Sequence, residues 1–246
     1  AKTGAEVLMP LAEWAFARML SQDESDATHA ASVAFYHAAG FDAGQMAAFE
    51  GRRDRYASSV STIPRVMHRL REDDVVPIGG HGWRVIVGLG HSPEHACLWC
   101  EDLRVLISGD QILPRISPNI AVWPNEPNAN PLALYLGSFA KFRGLPDDVL
   151  VLPSHDRPFR GLDWRLDELT DHHRERLQRT WEACATPLSG TEVLKRLFER
   201  PLDPHQLMFA IGESLAHLHW LATDGALARE IGADGVHRFR RAKAFG

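Results

Sequence analysis

The chain has 246 residues and a formal net charge of −5, with 45% hydrophobic and 24% charged residues. This composition is typical of one sizeable globular domain, with or without a small appendage. No apolar run reaches the roughly 18 residues that a membrane helix needs. The acidic balance also disfavours a nucleic-acid backbone as the main partner, because binding phosphates requires a basic surface.

The three cysteines predict reduced thiols rather than a disulfide framework or a zinc ribbon. Cys97 and Cys100 form a CxxC motif inside an apolar, strand-like run, and no second pair accompanies them. A redox CxxC motif is expected at the start of a helix instead. Thiols that stay reduced favour a cytoplasmic protein.

The hydrophobic pattern predicts a helical first part and a strand-rich middle. In chain order we expect a buried strand at 5–9, a helix at 10–20, helical composition over 23–72 with breaks at Gly40 and Gly51, and strands at 75–80, 83–90, 96–99, 104–108 and 149–152. The strands are assigned because the hydrophobic period falls to about two after Asp73 and turn residues separate the runs.

The last part of the chain is predicted to be helical and to end in a small unit. Five prolines and four asparagines between residues 112 and 131 indicate an irregular surface loop, and a helix follows at about 132–143. We expect a long helix from Leu162, shorter helices at 191–199 and 204–222, and a compact tail. The predicted boundary separates a domain at 1–186 from a unit at 187–246.

Three polar clusters follow predicted strands, and each one delivers a histidine or a carboxylate into a loop. They are Gly90–His95, Ser108–Asp110 and Pro153–Asp156. Taken singly, each has a plain explanation, because a histidine after a strand is usually a surface residue and Ser-Gly-Asp is usually a turn. Taken together, His91, Asp110 and His155 have the chemistry of a zinc site, and iron or manganese also fits this donor set.

The order and flanks of these clusters resemble the metallo-β-lactamase-fold hydrolases over residues 1–185. The run GHSPEH resembles the third motif of that superfamily, Ser108–Asp110 resembles the fourth, and the strand ending at His155 resembles the fifth. The resemblance implies that His91 ligates one metal ion, that His155 ligates a second, and that Asp110 bridges them and orients the nucleophile. Glu94 stands where glycine is frequent in the family.

The resemblance also implies the fold class, an α/β (α+β) metallo-β-lactamase αββα sandwich with a small winged-helix-like C-terminal unit. The family motif HxHxDH does not occur in the sequence, and in the family a helix and a strand follow it. We therefore expect a sandwich that is incomplete at its N-terminus and a chain that binds zinc weakly. An uncovered sheet edge would favour pairing with a second copy, so a homodimer is left open.

Two further histidines are candidates for supporting roles. His95 is a neighbour of the ligands in the family pattern, so we interpret it as a residue that supports them from behind. His173 falls on the apolar stripe of the long helix, where it is either a buried histidine with a satisfied hydrogen bond or a pocket residue that contacts substrate.

The site predicts hydrolysis and leaves the substrate open. We expect a small-molecule ester, thioester or lactone as substrate, because the segments 23–72 and 112–131 are placed to enclose a pocket. Two alternatives stay open. One is an RNA-processing nuclease, which only the basic run 237–241 favours, and the other is an inert truncated scaffold.

Overall fold

The computed structural model describes residues 4–23, 25–50, 58–198 and 202–245. In chain order its elements are β1 (Leu8–Pro10), α1 (Leu11–Gln22), α2 (Asp26–Ala38), α3 (Ala43–Glu50), β2 (His68–Leu70), β3 (Val75–Ile78), β4 (His81–Gly88), β5 (His95–Cys100), β6 (Val105–Gly109), α4 (Pro131–Ser138) with a 3-10 turn after it (Phe139–Lys141), β7 (Leu150–Pro153), α5 (Leu162–Ala183), β8 (Leu188–Ser189), α6 (Gly190–Leu197), α7 (Pro204–Thr223), β9 (Leu227–Ile231) and β10 (His237–Arg241). Among the described residues, no helix has the length and apolar character of a membrane span.

A five-stranded sheet in the order β3-β4-β5-β6-β7 forms the framework for the candidate site. Neighbouring strands are antiparallel from β3 to β6, whereas β6 and β7 are parallel. The strands β4, β6 and β7 therefore run in the same direction, and their C-terminal ends lie at one edge of the sheet. The strand β5 runs the opposite way and begins at that edge.

The central strands are apolar on both faces, which explains their continuous hydrophobic runs. Val85, Ile86 and Val87 in β4 are all buried, although successive side chains of a strand point to opposite faces. Such a run is typical of a strand that is covered on both sides. Cys97, Cys100 and Cys184 are buried and form no disulfide, as predicted, and burial raises the pKa of the Cys97 thiol.

Two sequence predictions in the first 72 residues need correction. The first strand lies at residues 8–10 rather than 5–9, and residues 68–70 form a strand rather than the end of a helical segment. The two strands pair in parallel, and the His68 amide donates to the Val7 carbonyl. A partner about 60 residues away decides this conformation, which local composition does not encode. The predicted break at Gly51 lies outside the described residues.

The segment 112–131 is irregular, as predicted, but it is not a surface loop throughout. It contains no helix or strand before Pro131. Ile112, Leu113, Ile120 and Val122 are at most 2% exposed, so two short apolar runs anchor the segment while its middle and end stay accessible. The many prolines and asparagines correctly predicted the absence of helices and strands in this segment. They did not indicate that its apolar residues are buried.

Contacts between Cα atoms divide the chain into two compact units. The first unit contains residues 1–22, 56–118 and 134–170, and the second contains residues 23–55, 119–133 and 171–246. The helices α2 and α3 thus group with C-terminal elements, through contacts between segments that are distant in sequence. The predicted boundary after residue 186 stays a prediction.

The second unit contains a three-stranded antiparallel sheet in the order β8-β10-β9 and the helices α6 and α7. The helix α6 begins with a capping box, in which Ser189 and Glu192 satisfy each other's backbone amides. Gly40 contacts this cap at a φ of +90°, and a Cβ atom there would lie 2.6 Å from Ser189 Oγ. The succession of one strand, two helices and a hairpin is compatible with a winged-helix-like unit, which stays a prediction.

Candidate metal centre

The sheet topology brings the predicted site residues to one edge. His91 and His155 follow the ends of β4 and β7 within three residues, and Asp110 follows β6 directly. His95 is the first residue of β5, which begins at the same edge. The C-terminal ends of β4, β6 and β7 and the start of β5 lie at the same edge of the sheet. This arrangement brings together four residues that lie up to 64 positions apart in sequence.

The Asp110 carboxylate lies between the two predicted histidine ligands. Its Oδ2 atom is 3.6 Å from His91 Nε2, and its Oδ1 atom is 3.4 Å from His155 Nε2. The side chains of His91 and Asp110 are 25% and 29% exposed, and that of His155 is 68% exposed. The structure thus brings these three residues together around one carboxylate that a ligand from solvent can reach.

The distances and hydrogen bonds of this group fit a pair of metal ions that share Asp110. Two donor atoms of one tetrahedral zinc ion lie about 3.4 Å apart when both bonds are about 2.1 Å long. The Oδ1 atom of Asp110 is buried and accepts no hydrogen bond from the described residues, so the His155 contact lacks hydrogen-bond geometry. A buried carboxylate oxygen without a donor is costly and is satisfied by a cation.

The donor set is nevertheless small. Within residues 4–23, 25–50, 58–198 and 202–245, no group of three or more histidine, cysteine, aspartate or glutamate side chains is arranged to hold one ion. Each candidate metal position therefore has one imidazole and a share of one carboxylate from these residues. Structural and catalytic zinc sites usually have three or four protein ligands.

His95 supports the centre through the backbone of Asp110. Its Nε2 atom accepts a hydrogen bond of 3.1 Å from the Asp110 amide, so this nitrogen carries no proton. Burial, with a smaller contribution from His91, lowers the pKa of His95 and keeps the ring neutral. The His95 ring lies so close to Gly109 that a Cβ atom at residue 109 would be 2.3 Å from His95 Cε1. His95 thereby fixes the turn that carries Asp110.

Several residues that hold the loops of the site carry no recognisable signal in the sequence. Glu94, which stood out only as a departure from the family pattern, accepts from the Ala12 amide, and its own amide donates to Glu13. Gln111 is fully buried and donates to the Leu89 carbonyl and to Ser138 Oγ. No local pattern marks these contacts, because they join segments 22 to 82 residues apart.

A buried arginine holds the backbone that follows Asp110. Arg165, on the first turn of α5, donates to the carbonyls of Leu113 and Ile116 at 2.6 and 2.9 Å, and its Nη1 atom lies 3.1 Å from a Glu168 carboxylate oxygen. Its side chain is only 8% exposed, so these three acceptors replace the water that the guanidinium loses. The loop between the two carbonyls is therefore fixed next to the site.

His173 lies in the second unit and is fully buried there. Its Nδ1 atom is 3.2 Å from His217 Nε2, and His217 Nδ1 is 2.8 Å from the Glu213 carbonyl. Because a carbonyl only accepts, His217 Nδ1 carries the proton and His217 Nε2 accepts from His173. This geometry agrees with the buried, hydrogen-bonded alternative of the two that the sequence left open.

Acid is expected to destabilise the second unit through this histidine pair. Burial lowers the pKa of both rings, that of His217 to about 4, whereas an unfolded histidine titrates near 6.5. The unfolded chain therefore binds protons first, and the free energy of unfolding decreases as the pH falls from about 6.5 towards 4. Urea unfolding at several pH values measures this slope.

A matched pair of variants assigns the slope to the buried rings. His173→Asn removes one titrating ring and keeps a donor near the Nδ1 position, so we expect a shallower slope at lower overall stability. His68→Asn removes an exposed ring outside this buried pair and is the matched control. Equal slopes in wild type and His173→Asn would contradict the assignment.

Comparisons with known proteins agree with the fold. The family model described as the metallo-beta-lactamase superfamily matches residues 21–155, and the model described as the metallo-beta-lactamase-like C-terminal domain matches residues 177–242. A crystal structure of a beta-lactamase domain protein from Burkholderia ambifaria is 43% identical, with a TM-score of 0.88 over 97% of this chain and 67% of that one.

Two curated relatives cover smaller parts of the chain. A probable metallo-hydrolase from Bacillus subtilis (strain 168) is 25% identical over 153 residues, which are 61% of this chain and 47% of the relative. A hydroxyacylglutathione hydrolase from Methylobacterium nodulans is 27% identical over 100 residues, which are 41% of this chain and 36% of the relative. The chain thus spans less than half the length of these relatives.

The first family model covers more than half of the 246 residues, and the Burkholderia structure matches almost the whole chain. The mixture of helices and sheets is that of the metallo-β-lactamase α/β sandwich, which confirms the predicted fold class. The chain belongs to the metallo-beta-lactamase superfamily.

Proposed function

We propose that the protein is a zinc-dependent hydrolase that acts on a small ester, thioester or lactone. The observation that supports this proposal most directly is the shared carboxylate, because Asp110 faces His91 on one side and His155 on the other at 3.6 and 3.4 Å. Two curated relatives are named as hydrolases, one a probable metallo-hydrolase and the other a hydroxyacylglutathione hydrolase. Iron or manganese also suits these donors.

The residues of the centre have separate tasks in this proposal. When bound, a pair of divalent ions lowers the pKa of water so that hydroxide is available near neutral pH. His91 and His155 each present Nε2 towards the carboxylate, and each would hold one ion. Asp110 would contribute its carboxylate to both ions and orient the attacking water. His95 keeps the Asp110 turn in place through its contact with the Asp110 amide.

The alternative of an RNA-processing nuclease receives little support from the basic run 237–241. Arg238 forms a two-point ion pair with Asp234, and Arg240 pairs with Glu230 at 2.6 Å. Arg241 donates to the carbonyls of Trp181 and Glu182 and stacks on the Trp181 ring. Arginines that are already paired within the chain release few counterions on contact with a phosphate backbone.

The assay that tests the proposal compares substrate classes on the 246-residue chain. We expect hydrolysis of a thioester, an aryl ester or a lactone that requires excess zinc, saturates with substrate and disappears after chelation. Excess zinc is needed because each ion has few ligands among the described residues. We expect RNA retention to be negligible at physiological salt.

Two outcomes would contradict the proposal. Strong RNA binding that weakens steeply with salt would favour the nuclease, since that slope counts neutralised phosphates. No zinc-dependent turnover in any substrate class, with zinc measurably bound, would favour the inert scaffold.

A further inference from the structure

The second unit contains a cavity of about 360 Å³ that the proposed hydrolysis does not use. Eight of its eleven lining residues are alanine, proline, phenylalanine or leucine, and the others are Asn128, His219 and His237. Its volume lies within the range of roughly 300 to 1,000 Å³ that is usual for small-molecule pockets. Two segments that the sequence suggested as pocket walls, the helical part of 23–72 and the loop 112–131, both contribute to it.

The cavity has a buried floor and an accessible mouth. Phe35 from α2, Ala39 directly after α2, and Leu215 and His219 from α7 form the floor, and each of the four is at most 8% exposed. Exposed residues, among them Ala34 and Pro127, line the mouth. A ligand that enters therefore exchanges water for an apolar surface with few polar groups.

His219 gives the floor one oriented hydrogen-bond acceptor. Its Nδ1 atom is 2.9 Å from the Ala129 carbonyl, so Nδ1 must carry the ring proton of the neutral imidazole. The other nitrogen, Nε2, accepts no hydrogen bond from the described residues, and His219 as a whole is 7% exposed. Burial lowers the pKa of His219, which keeps Nε2 unprotonated at neutral pH.

The polar side chain of Asn128, which also lines the cavity, already has a hydrogen-bond partner. Asn128 Oδ1 accepts from the Arg229 guanidinium at 2.9 Å, so the Arg229 charge is directed to the amide. The floor itself contains no cationic side chain. An anionic ligand end would therefore meet a neutral acceptor at His219, which repels it, whereas a hydroxyl or an N–H group would satisfy that acceptor.

We propose that this cavity binds a small uncharged molecule that has an apolar body and one hydroxyl or N–H donor, and that His219 Nε2 accepts the hydrogen bond from that donor. The apolar body fills the space between α2 and α7, and the donor lies at the floor. The site is independent of the zinc centre in its chemistry. It binds its ligand without metal and without turnover.

The test uses two probes, para-propylphenol and its methyl ether, in which a methyl group replaces the donor hydrogen. We expect saturable binding of both in calorimetry, with the phenol about tenfold tighter, a difference of about 1.4 kcal/mol that one hydrogen bond can supply. The nitrogen NMR signal of His219 Nε2 should move upfield when the phenol binds. An equal affinity for the two probes, or an unmoved signal, would overturn the proposal.

Variants locate the binding. In His219→Phe the phenol and its ether should bind with similar affinity. Ala34→Leu should weaken both probes, whereas Ala30→Leu, an exposed alanine on the same helix that does not line the cavity, should weaken neither. If His219→Phe does not fold, two measurements still test the proposal. They are the ratio of the affinities of wild type for the two probes, and the comparison of Ala34→Leu with Ala30→Leu. Equal weakening by both alanine variants would contradict the assigned cavity.

Discussion

Replacing Asp110 with asparagine is expected to weaken zinc binding by at least about 100-fold and to reduce zinc-dependent hydrolysis to background. Mutation of a residue that only supports a metal ligand already lowers metal affinity or activity by roughly 10- to 100-fold. Asparagine has nearly the same shape but no negative charge. It cannot hold two cations between His91 and His155, which leaves each position with one neutral imidazole. The effect on affinity should therefore exceed that of losing either histidine alone.

The measurement is a competition for zinc between the chain and a chromophoric chelator, with the metal content determined by elemental analysis. Asp148→Asn is the matched control, because Asp148 is an exposed carboxylate that pairs with Arg104 near the start of β6, away from the strand ends that carry the site. We expect its zinc affinity to equal that of wild type. A tightly bound metal in Asp110→Asn would mean that other donors form the centre.

Substituting alanine for Gly109 is expected to lower the free energy of unfolding by about 3 kcal/mol. The left-handed backbone conformation costs a residue with a Cβ atom roughly 1 to 2 kcal/mol, and the steric overlap of the new methyl group adds a similar amount. Gly109 has a φ of +55°, and the new methyl group would lie 2.3 Å from His95 Cε1. Relief of that overlap requires movement of His95 or of the turn, so the position of Asp110 changes as well. Zinc affinity should fall together with stability.

Two further variants separate the backbone cost from the overlap. Gly144 has a φ of +84° and open space around its Cα atom, so Gly144→Ala should show the backbone cost alone. His95→Ala removes the ring that the methyl group meets, and the double variant should therefore lose less stability than the two single changes predict together. Additive effects in urea unfolding would show that the ring and the turn are not coupled.

The candidate site was largely predictable because its residues end apolar strands and carry distinctive side chains. His91, Asp110 and His155 each follow a run that the period of two identifies, and the parallel directions of β4, β6 and β7 then place them at one edge. The role of His95 behind the ligands also agrees with its contact to the Asp110 amide. Whether these residues bind zinc stays a prediction.

The remaining features depend on contacts that no local pattern encodes. The strand β2 forms because β1 offers it an edge, and the loop after Asp110 is ordered because Arg165 supplies its donors from 49 and 52 residues away. The grouping of α2 and α3 with C-terminal elements is likewise a matter of tertiary packing. Helix propensity and turn composition describe each segment separately, so they do not identify its partner.

The two carbonyl contacts of Arg165 also determine how the protein opens on slow timescales. If the loop at 113–116 detached alone, the guanidinium would lose two of its three acceptors while still buried, at a cost of several kcal/mol. If the first turn of α5 frayed alone, the loop would lose the donors that order it. We therefore expect the loop and the helix start to open as one cooperative unit, with amide hydrogens that exchange with solvent together.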